Sequence, residues 1–496
     1  MEQNKNRNPY KLPLIMALVS AFSMIIGMRF QESLVLDGLV VPLDQEYSNS
    51  ILEVSNHIKH KYYGDLNDTT FTDAVIGTMV EQLDPYSHYF EEERNVRYSN
   101  YMEGLFTGIG VDFVIDEDSV FIYRVLPQSP AEDAGIQKGH ILLSIDSIPI
   151  GRGTNFRNVL DGIQKDVGAE INIKTYNPVS KVAIDTTLVV ESIEVPLVHH
   201  YILADDVADK ECHYFKIDRF YKSIFVDFMD LIDQNSSDGK GVENMIIDLR
   251  DNPGGVVEET TKLLNQFVSE KGKLLLSTNS KTGKVKEYLS NGRSFFDVER
   301  IVILQNERSA SASEILAGVL QDYDRAILIG TDSYGKGFIQ QNIKLSNEGS
   351  LNLSVGEYIL PGGRTIRRDT VSKDSTFLSL INKRALRGGR GVPVDLILEE
   401  CAFGINVDSL AKDLVVKARD FDQLFTYDMI HERLPQSIKE SVSADCLNDM
   451  SKLMSWIIAL NVLEPGGTVH QGLSEPWIQE AFRLVQSDRY TDILDR

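Results

Sequence analysis

The sequence predicts a multidomain α+β protein with an α/β core, and three changes of pattern along the chain support this prediction. Its 496 residues correspond to three or four domains at the usual domain size. Helical periodicity near the amino terminus gives way to short β runs with glycine turns. Strands that alternate with helices follow, and this alternation is typical of a layered α/β core.

The amino terminus carries a segment that is long and apolar enough to cross a membrane. Residues 12–28 form a run of 17 residues without a charge, preceded by three basic residues. This is about the minimum length for spanning a bilayer core. We interpret residues 1–11 as a cytoplasmic tail and 12–30 as an uncleaved transmembrane anchor, because basic flanks stay in the cytoplasm. A cleavable signal peptide is the alternative, and both export the remainder of the chain.

A helical region is predicted over residues 46–98. Apolar residues recur there at spacings of three and four, at Ile51, Val54, Ile58 and Tyr62. A second helix is expected over residues 71–83, where Pro85 stops it.

Residues 100–195 read as a compact β-sandwich or barrel with two helices. Strands are expected at residues 111–114, 120–125, 141–145, 171–175 and 183–190, and helices at 129–134 and 155–164.

Residues 205–398 carry the α/β alternation. Strands are expected at residues 244–249, 301–304 and 326–329, and helices at 257–267 and 312–321. Residues 400–496 are predicted to form a mostly helical domain, which could serve oligomerisation or the docking of an adaptor.

Composition excludes some classes of function. The net charge of −23 argues against nucleic-acid binding, which needs clustered Lys and Arg. The three cysteines, Cys212, Cys401 and Cys446, show no metal-ligand spacing, and nothing in the sequence assigns a disulfide. We expect no metal and no organic cofactor.

A run of serines lies between a predicted strand and a predicted helix. It includes Ser309, Ser311 and Ser313, followed by Glu314. A hydroxyl at a helix amino terminus has free backbone N–H groups beside it, as a nucleophile with an oxyanion hole requires. Ser311-x-x-Glu314 is also a capping box, so by itself this segment fits a structural role as well.

A single lysine, Lys336, stands between Gly335 and Gly337 in a turn after a strand. A buried lysine loses hydration, which lowers its pKa and lets the neutral amine accept a proton. A Ser–Lys pair needs no histidine. A solvated turn lysine is the simpler alternative.

The third segment, residues 248–255, is a Pro-Gly-Gly turn at the end of a strand. Its glycines could offer N–H groups to an oxyanion, or could form a tight connection to the next helix. Arg250 in this turn and Glu314 could organise the site, and a structural role is open for both.

Together the three segments resemble the carboxyl-terminal processing, or tail-specific, proteases. That family has a D-L-R-x-N-P-G-G turn, an S-A-S-A-S-E turn and an F/Y-G-K-G turn in this order. The resemblance implies that Ser311 is the nucleophile, Lys336 the general base and Gln340 the residue that orients the lysine. It implies an oxyanion hole of the backbone N–H groups of Gly254 and Ala312. The core is then expected to have crotonase-like layers.

The resemblance extends to the region before the core. Residues 83–89 are similar to the family's L-D-P-H-S-x-Y stretch, with Tyr86 in place of histidine. Gly108, Ile109 and Gly110 resemble a PDZ carboxylate-binding loop, although His140 replaces the usual aspartate further on. A PDZ domain adds a carboxyl-terminal peptide to its sheet as a strand.

These features predict a serine endopeptidase of the cell envelope that recognises free, apolar carboxyl termini of unfolded proteins. The anchor and the family imply a bacterial inner-membrane protein with its protease on the periplasmic side. The alternative is an exported PDZ scaffold that binds carboxyl termini without cutting them, or a protease that stays inactive until a partner binds.

Overall fold

The computed structural model describes a large part of the chain after the predicted anchor. The described residues are 45–116, 119–151, 159, 162–163, 165–178, 180–204, 211–235, 242–368, 375–388, 391–398, 468–470 and 476–495. Within these ranges no helix is both long and apolar enough to cross a membrane. The predicted anchor at 12–30, most of the predicted helix at 155–164 and most of the 400–496 region lie outside them.

The chain divides into two compact units, Met1–Thr78 and Met79–Arg496. In the first unit, helix α1 spans Gln45–Lys61 and α2 spans Asp68–Glu81, ending in the second unit. The side chain of Asn67 accepts a hydrogen bond from the Thr70 N–H, which caps α2. The apolar stripe predicted on α1 is solvent-facing at Ile51 and Val54, which are 42% and 58% exposed.

The second unit begins with strand β1, His88–Phe90, and helix α3, Glu92–Glu103. An antiparallel β domain follows. Its elements are β2 Leu105–Gly108, β3 Val111–Asp116, β4 Ser119–Val125, α4 Pro130–Asp133, β5 Ile141–Ile145, β6 Ile148–Pro149, β7 Glu170–Asn177, β8 Val182–Val189 and β9 Glu191–Glu194. The main sheet has the order β3-β4-β5-β7-β8, and β2 pairs with β9. The predicted strands of this region are confirmed.

His140, which departs from the PDZ pattern, is buried in this domain. One ring nitrogen lies 3.3 Å from the Thr175 hydroxyl and the other 3.1 Å from the Asn177 side-chain amide. Burial lowers the pKa of His140. These surroundings therefore favour a neutral imidazole ring with a hydrogen-bond partner at each nitrogen.

The α/β core contains the largest sheet of the described chain. Its strands are β10 Val198–Ala204, β11 Glu211–Ile217, β12 Val242–Asp248, β15 Val298–Gln305, β16 Ile327–Gly330, β21 Leu396–Ile397 and β22 Thr468–His470, in the order β21-β16-β15-β12-β11-β10-β22. The strands from β21 to β11 are parallel, and β10 pairs antiparallel with β11. The predicted crotonase-like layering stays a prediction.

Helices cover both faces of this sheet. They are α5 Ile224–Asn235, α6 Val257–Phe267 and α7 Ala312–Asp322 on one face, and α8 Pro476–Val485 and α9 Asp488–Leu494 on the other. Successive residues of β12, Met245 and Ile246, belong to the two different hydrophobic clusters, since side chains alternate across a strand. Burial on both faces explains why these strands read as continuous apolar runs.

A second sheet, packed beside the core, supplies one wall of the cavity described below. It has the order β1-β18-β13-β14, with β17 also paired to β18. Its new strands are β13 Leu274–Ser280, β14 Val285–Leu289, β17 Phe338–Lys344 and β18 Ser350–Ile359, while a separate hairpin joins β19 Thr376–Leu378 and β20 Ala385–Arg387.

A buried ion pair ties the end of α7 to the segment after β18. Arg364 and Asp322 lie 2.6 Å apart, and their side chains are 2% and 0% exposed. Removing one partner leaves an uncompensated charge in the core, so Asp322→Ala should lower the free energy of unfolding by about 3–5 kcal/mol. Urea unfolding followed by tryptophan fluorescence measures this loss.

The matched control is Arg489→Ala, which removes the partly exposed ion pair between Arg489 of α9 and Glu480 of α8. Its urea midpoint should stay near that of the parent chain. Equal midpoints for the two variants would contradict a structural role for the buried pair.

Candidate active site

Three turns meet at one edge of the core sheet. The glycine turn follows β12, the serine turn follows β15 and the lysine turn follows β16, and these three strands are parallel neighbours. Because the carboxyl ends of parallel neighbouring strands lie at the same edge, the fold brings together segments nearly 90 residues apart in sequence.

In the serine turn the three serines have different surroundings. The Ser309 hydroxyl donates to the Leu249 carbonyl at 2.8 Å, and the Ser313 hydroxyl donates to the Asn252 carbonyl at 3.1 Å. Both of these serines are buried and fasten the serine turn to the glycine turn. Ser311 is partly exposed and lines a cavity.

The backbone of Ser311 is strained. Its φ is 55° and its ψ is −112°, a conformation that a residue with a side chain rarely adopts and that costs about 1–3 kcal/mol. Helix α7 begins at the next residue, Ala312, whose N–H belongs to the unsatisfied first turn of the helix. The turn therefore presents a hydroxyl one residue before a backbone N–H of the first helical turn.

The glycine turn approaches the serine turn so closely that a side chain does not fit. Gly254 has a φ of +96°, and a Cβ there would lie 2.6 Å from the Ala310 carbonyl oxygen, 2.8 Å from the Ser311 Cβ and 2.9 Å from the Ala312 nitrogen. The Gly254 N–H donates to the Asn252 side-chain oxygen at 2.9 Å. Its service as an oxyanion donor stays a prediction and requires this N–H to leave or share that bond.

Buried charged side chains hold the start of the glycine turn in place. Asp248 accepts hydrogen bonds from the Tyr214 hydroxyl and the Arg250 guanidinium, and Lys216 lies 3.5 Å away. Burial alone would raise the pKa of Asp248, but Arg250 and Lys216 hold it below its usual range. The Arg250 guanidinium also lies 5.5 Å from the Trp477 ring of α8, so the carboxyl-terminal helix contacts this support.

In the lysine turn, the Lys336 ammonium donates to the Gln340 side-chain oxygen at 2.8 Å. Burial lowers the pKa of Lys336, while Glu314 and Asp84 raise it, and the net shift is downward. Gln340 in turn donates to the Tyr86 carbonyl. The lysine is therefore partly removed from water and held by an amide oxygen, and the partial desolvation favours its neutral form.

Glu314 joins the lysine turn to the serine turn. Its buried carboxylate accepts from the N–H groups of Ser311, Gly335 and Lys336 at 2.8, 2.6 and 2.8 Å, and from the Ser333 hydroxyl at 2.5 Å. Burial raises the pKa of Glu314, these donors partly offset the rise, and the net pKa is about 7. The sequence suggested a helix cap, and the bond to Ser311 fits a cap, but the bridge to the lysine turn was not foreseen.

Ser311, Lys336 and Gln340 line one cavity of about 870 Å³. Aromatic and apolar side chains form much of its wall, among them Tyr86, Phe338, Ile339, Val355 and Tyr358. The cavity is large enough for several residues of an extended peptide. A hydroxyl and a partly desolvated amine that line one cavity, with the first N–H of helix α7 adjacent in sequence to the hydroxyl, can support attack on a peptide carbonyl.

The predicted carboxylate-binding loop lies in the β domain. The Ile109 and Gly110 carbonyls accept from the N–H groups of Ala131 and Leu126, at 3.1 and 2.8 Å. Gly110 has a φ of +82°, and a Cβ there would lie 2.2 Å from the Ser129 Cβ. These contacts fix the loop, in which Gly108 ends β2, against the start of α4. Because most of residues 155–164 lie outside the described chain, peptide binding there stays a prediction.

Comparison with known protein families gives a match for the α/β core and a match for the β domain. Residues 212–377 match the sequence model of peptidase family S41, and residues 121–176 match a PDZ domain. The chain therefore resembles serine peptidases of family S41 that carry a PDZ domain, which confirms the predicted resemblance.

Its relatives belong to the carboxyl-terminal processing group. The chain is similar to the carboxy-terminal-processing protease of Bartonella bacilliformis, with 26% identity over 324 residues that cover 65% of this chain and 73% of that protein. It is also similar to a probable CtpA-like serine protease of Staphylococcus aureus, with 28% identity over 341 residues that cover 67% of this chain and 65% of that protein.

A similar solved structure is that of a photosystem II D1 C-terminal processing protease. Its sequence is 22% identical, the match covers 72% of this chain and 88% of that chain, and the TM-score is 0.39.

The close approach of Gly254 generates a test. Gly254→Ala should lower the rate at which Ser311 reacts with a fluorophosphonate probe by about 100-fold or more, because the new Cβ displaces the serine turn by part of an ångström. Gly272→Ala is the matched control. Gly272 also has a positive φ, +80°, but no heavy atom within 4 Å of its Cβ position. Equal losses in both variants would show that backbone strain, and not the contact with the serine turn, is responsible.

Proposed function

We propose that this chain is an endopeptidase that cleaves polypeptides by a Ser311–Lys336 acyl-enzyme mechanism and selects them by their free carboxyl termini. The observation that carries the proposal is the Lys336–Gln340 hydrogen bond in the same cavity as Ser311. It supports a lysine that is held in place, is partly desolvated and shares a cavity with a strained serine.

In the proposed reaction, neutral Lys336 accepts the proton of the Ser311 hydroxyl as its oxygen attacks the scissile carbonyl. The Ala312 N–H stabilises the oxyanion, and the Gly254 N–H joins it once it is released from Asn252. Lys336 then gives its proton to the leaving amine. A water molecule, deprotonated by the same lysine, hydrolyses the acyl-enzyme and regenerates Ser311.

The PDZ domain supports the choice of substrate. A PDZ loop binds a free carboxylate through backbone N–H groups and adds the peptide as a strand. The Gly108–Gly110 loop has the sequence and the fixed backbone for this role. Apolar side chains around the cavity favour apolar residues in the substrate.

The proposed location is the periplasmic side of a bacterial inner membrane, with residues 12–30 as the anchor. The uncharged 17-residue run and its basic flank support this proposal. Fractionation of cells, with protease protection of a carboxyl-terminal tag, tests it. Recovery of the chain in the cytoplasmic fraction would contradict it.

The full-length chain should cut an unfolded reporter that ends in an apolar free carboxylate. Ser311→Ala and Lys336→Ala should abolish cutting, because one removes the nucleophile and the other the base. Gel analysis and mass spectrometry of the products measure the outcome. A reporter with an amidated terminus should be cut more slowly. Binding of the reporter without cutting by the parent chain would favour the scaffold alternative.

The reaction should accelerate as pH rises, because only the neutral form of Lys336 accepts a proton. Since the net effect of its surroundings lowers the pKa of Lys336, the rise should occur below the pH at which a free lysine titrates. The rate of fluorophosphonate labelling of Ser311, measured across the range in which the protein stays folded, reports this titration. A rate that is independent of pH in the parent chain, or unchanged in Lys336→Ala, would contradict the assigned base.

A further inference from the structure

Residues 84–90, called here the strap, belong to none of the three turns yet reach the site. The strap precedes the PDZ domain in sequence and ends in β1, which pairs with β18 through His88–Asn352 and Phe90–Ser350. Tyr86 of the strap lines the same cavity as Ser311. The chain therefore brings a distant segment to the base side of the site.

The strap determines which end of the Gln340 amide faces the lysine. A glutamine amide has one donor end and one acceptor end. Because the nitrogen end of Gln340 donates to the Tyr86 carbonyl, the oxygen end is left to accept from Lys336, at 2.8 Å. Without the Tyr86 carbonyl the amide could rotate and turn its NH₂ group toward the lysine, where it offers no acceptor.

Asp84 holds the Tyr86 peptide in place. Its carboxylate accepts from the N–H groups of Tyr86 and Ser87 at 2.8 and 2.9 Å, and from the hydroxyls of Ser87 and Ser354 at 2.8 and 3.2 Å. Ser354 belongs to β18, so the carboxylate fastens the strap to the sheet beside the cavity. The Ser354 N–H also donates to the Ser87 hydroxyl at 3.1 Å.

The Tyr86 ring adds a second contact with the base. Its centroid lies 5.8 Å from the Lys336 ammonium, within the range of a cation–π contact. The ring also packs against Phe338, with centroids 5.5 Å apart, and meets Tyr334 edge to face at 6.4 Å. The aromatic contacts thus fix the side chain while Asp84 fixes the backbone.

We infer that Asp84 and Tyr86 are positioning residues of the Ser–Lys reaction, which act by fixing the orientation of Gln340 and through it the amine of Lys336. The inference depends on the proposed function, since it assigns the strap a role in that reaction. It predicts that a change in the strap lowers kcat only when Gln340 is present. If the strap is purely structural, the same change lowers kcat equally with or without Gln340.

A double-mutant cycle in the full-length chain tests this coupling. Asp84→Ala should lower kcat for the reporter by about 10-fold in the parent chain, but by less than about 2-fold in a Gln340→Ala background, where no amide is left to orient. KM should change little in both. Asp84→Asn keeps one carbonyl oxygen for the Tyr86 and Ser87 N–H groups, so it should recover part of the lost kcat.

The pH profile provides a second readout. Glu314, Asp84 and the Tyr86 ring are the groups that favour the protonated form of Lys336. Replacing Asp84 by Asn removes one negative charge, so the rise of the rate should move to lower pH. Glu348→Ala, which breaks the exposed Lys344–Glu348 pair in the β17–β18 hairpin, is the control and should leave both kcat and the profile unchanged.

The two proposals fail in different ways. If the parent chain neither cuts the reporter nor labels at Ser311, the proposed function fails. If the parent is active and Asp84→Ala lowers kcat by the same factor in both backgrounds, the strap is structural and the inference is wrong. Thermal unfolding of each variant identifies misfolding. If Asp84→Ala does not fold, the same double-mutant comparison with Asp84→Asn decides, and an equal loss of kcat in both backgrounds makes the strap structural.

Discussion

The site depends on one buried carboxylate, that of Glu314. It accepts hydrogen bonds from the backbone of Ser311 in one turn and from Gly335 and Lys336 in another. Two irregular loops with buried N–H groups need acceptors, and a single carboxylate supplies them for both. Burial raises the pKa of that group, and the four hydrogen bonds that it accepts oppose the rise. This shared acceptor fixes the spacing between the serine turn and the lysine turn.

The sheet determines where the turns can meet. Its parallel strands are buried on both faces, so their carboxyl ends form one edge at which irregular backbone is tolerated and supported. Asp248 lies buried at that edge and is neutralised by Arg250 and Lys216. Arg250 in turn contacts Trp477 of α8. The carboxyl-terminal helices are therefore part of the support for the glycine turn, although they lie more than 200 residues away in sequence.

Much of the organisation was predictable because it follows from local patterns. The alternation of strands and helices predicted the α/β core, the short β runs predicted a compact β domain, and the resemblance of its glycine loop identified that domain as a PDZ domain. The three motifs predicted a resemblance to one protease family, and the matches to peptidase family S41 and to a PDZ domain confirm that resemblance. The division of labour among Ser309, Ser311 and Ser313 was not predictable from their own spacing, because it depends on which hydroxyl meets Leu249 or Asn252 across the turn. The hydrogen bond from the Gly254 N–H to the Asn252 side-chain oxygen was not predictable either.

The sequence by itself determined that a PDZ domain precedes an α/β core, the strands and helices of that core, and the residue types suited to a Ser–Lys reaction. Those properties depend on periodicity, on glycine in turns and on the chemistry of individual side chains. Only the tertiary structure decided that Glu314 bridges two turns and that the strap holds Gln340 from Tyr86, 254 residues away. Such contacts join segments with no local relation, and hydrogen bonds between them are specified by the packing of the whole fold.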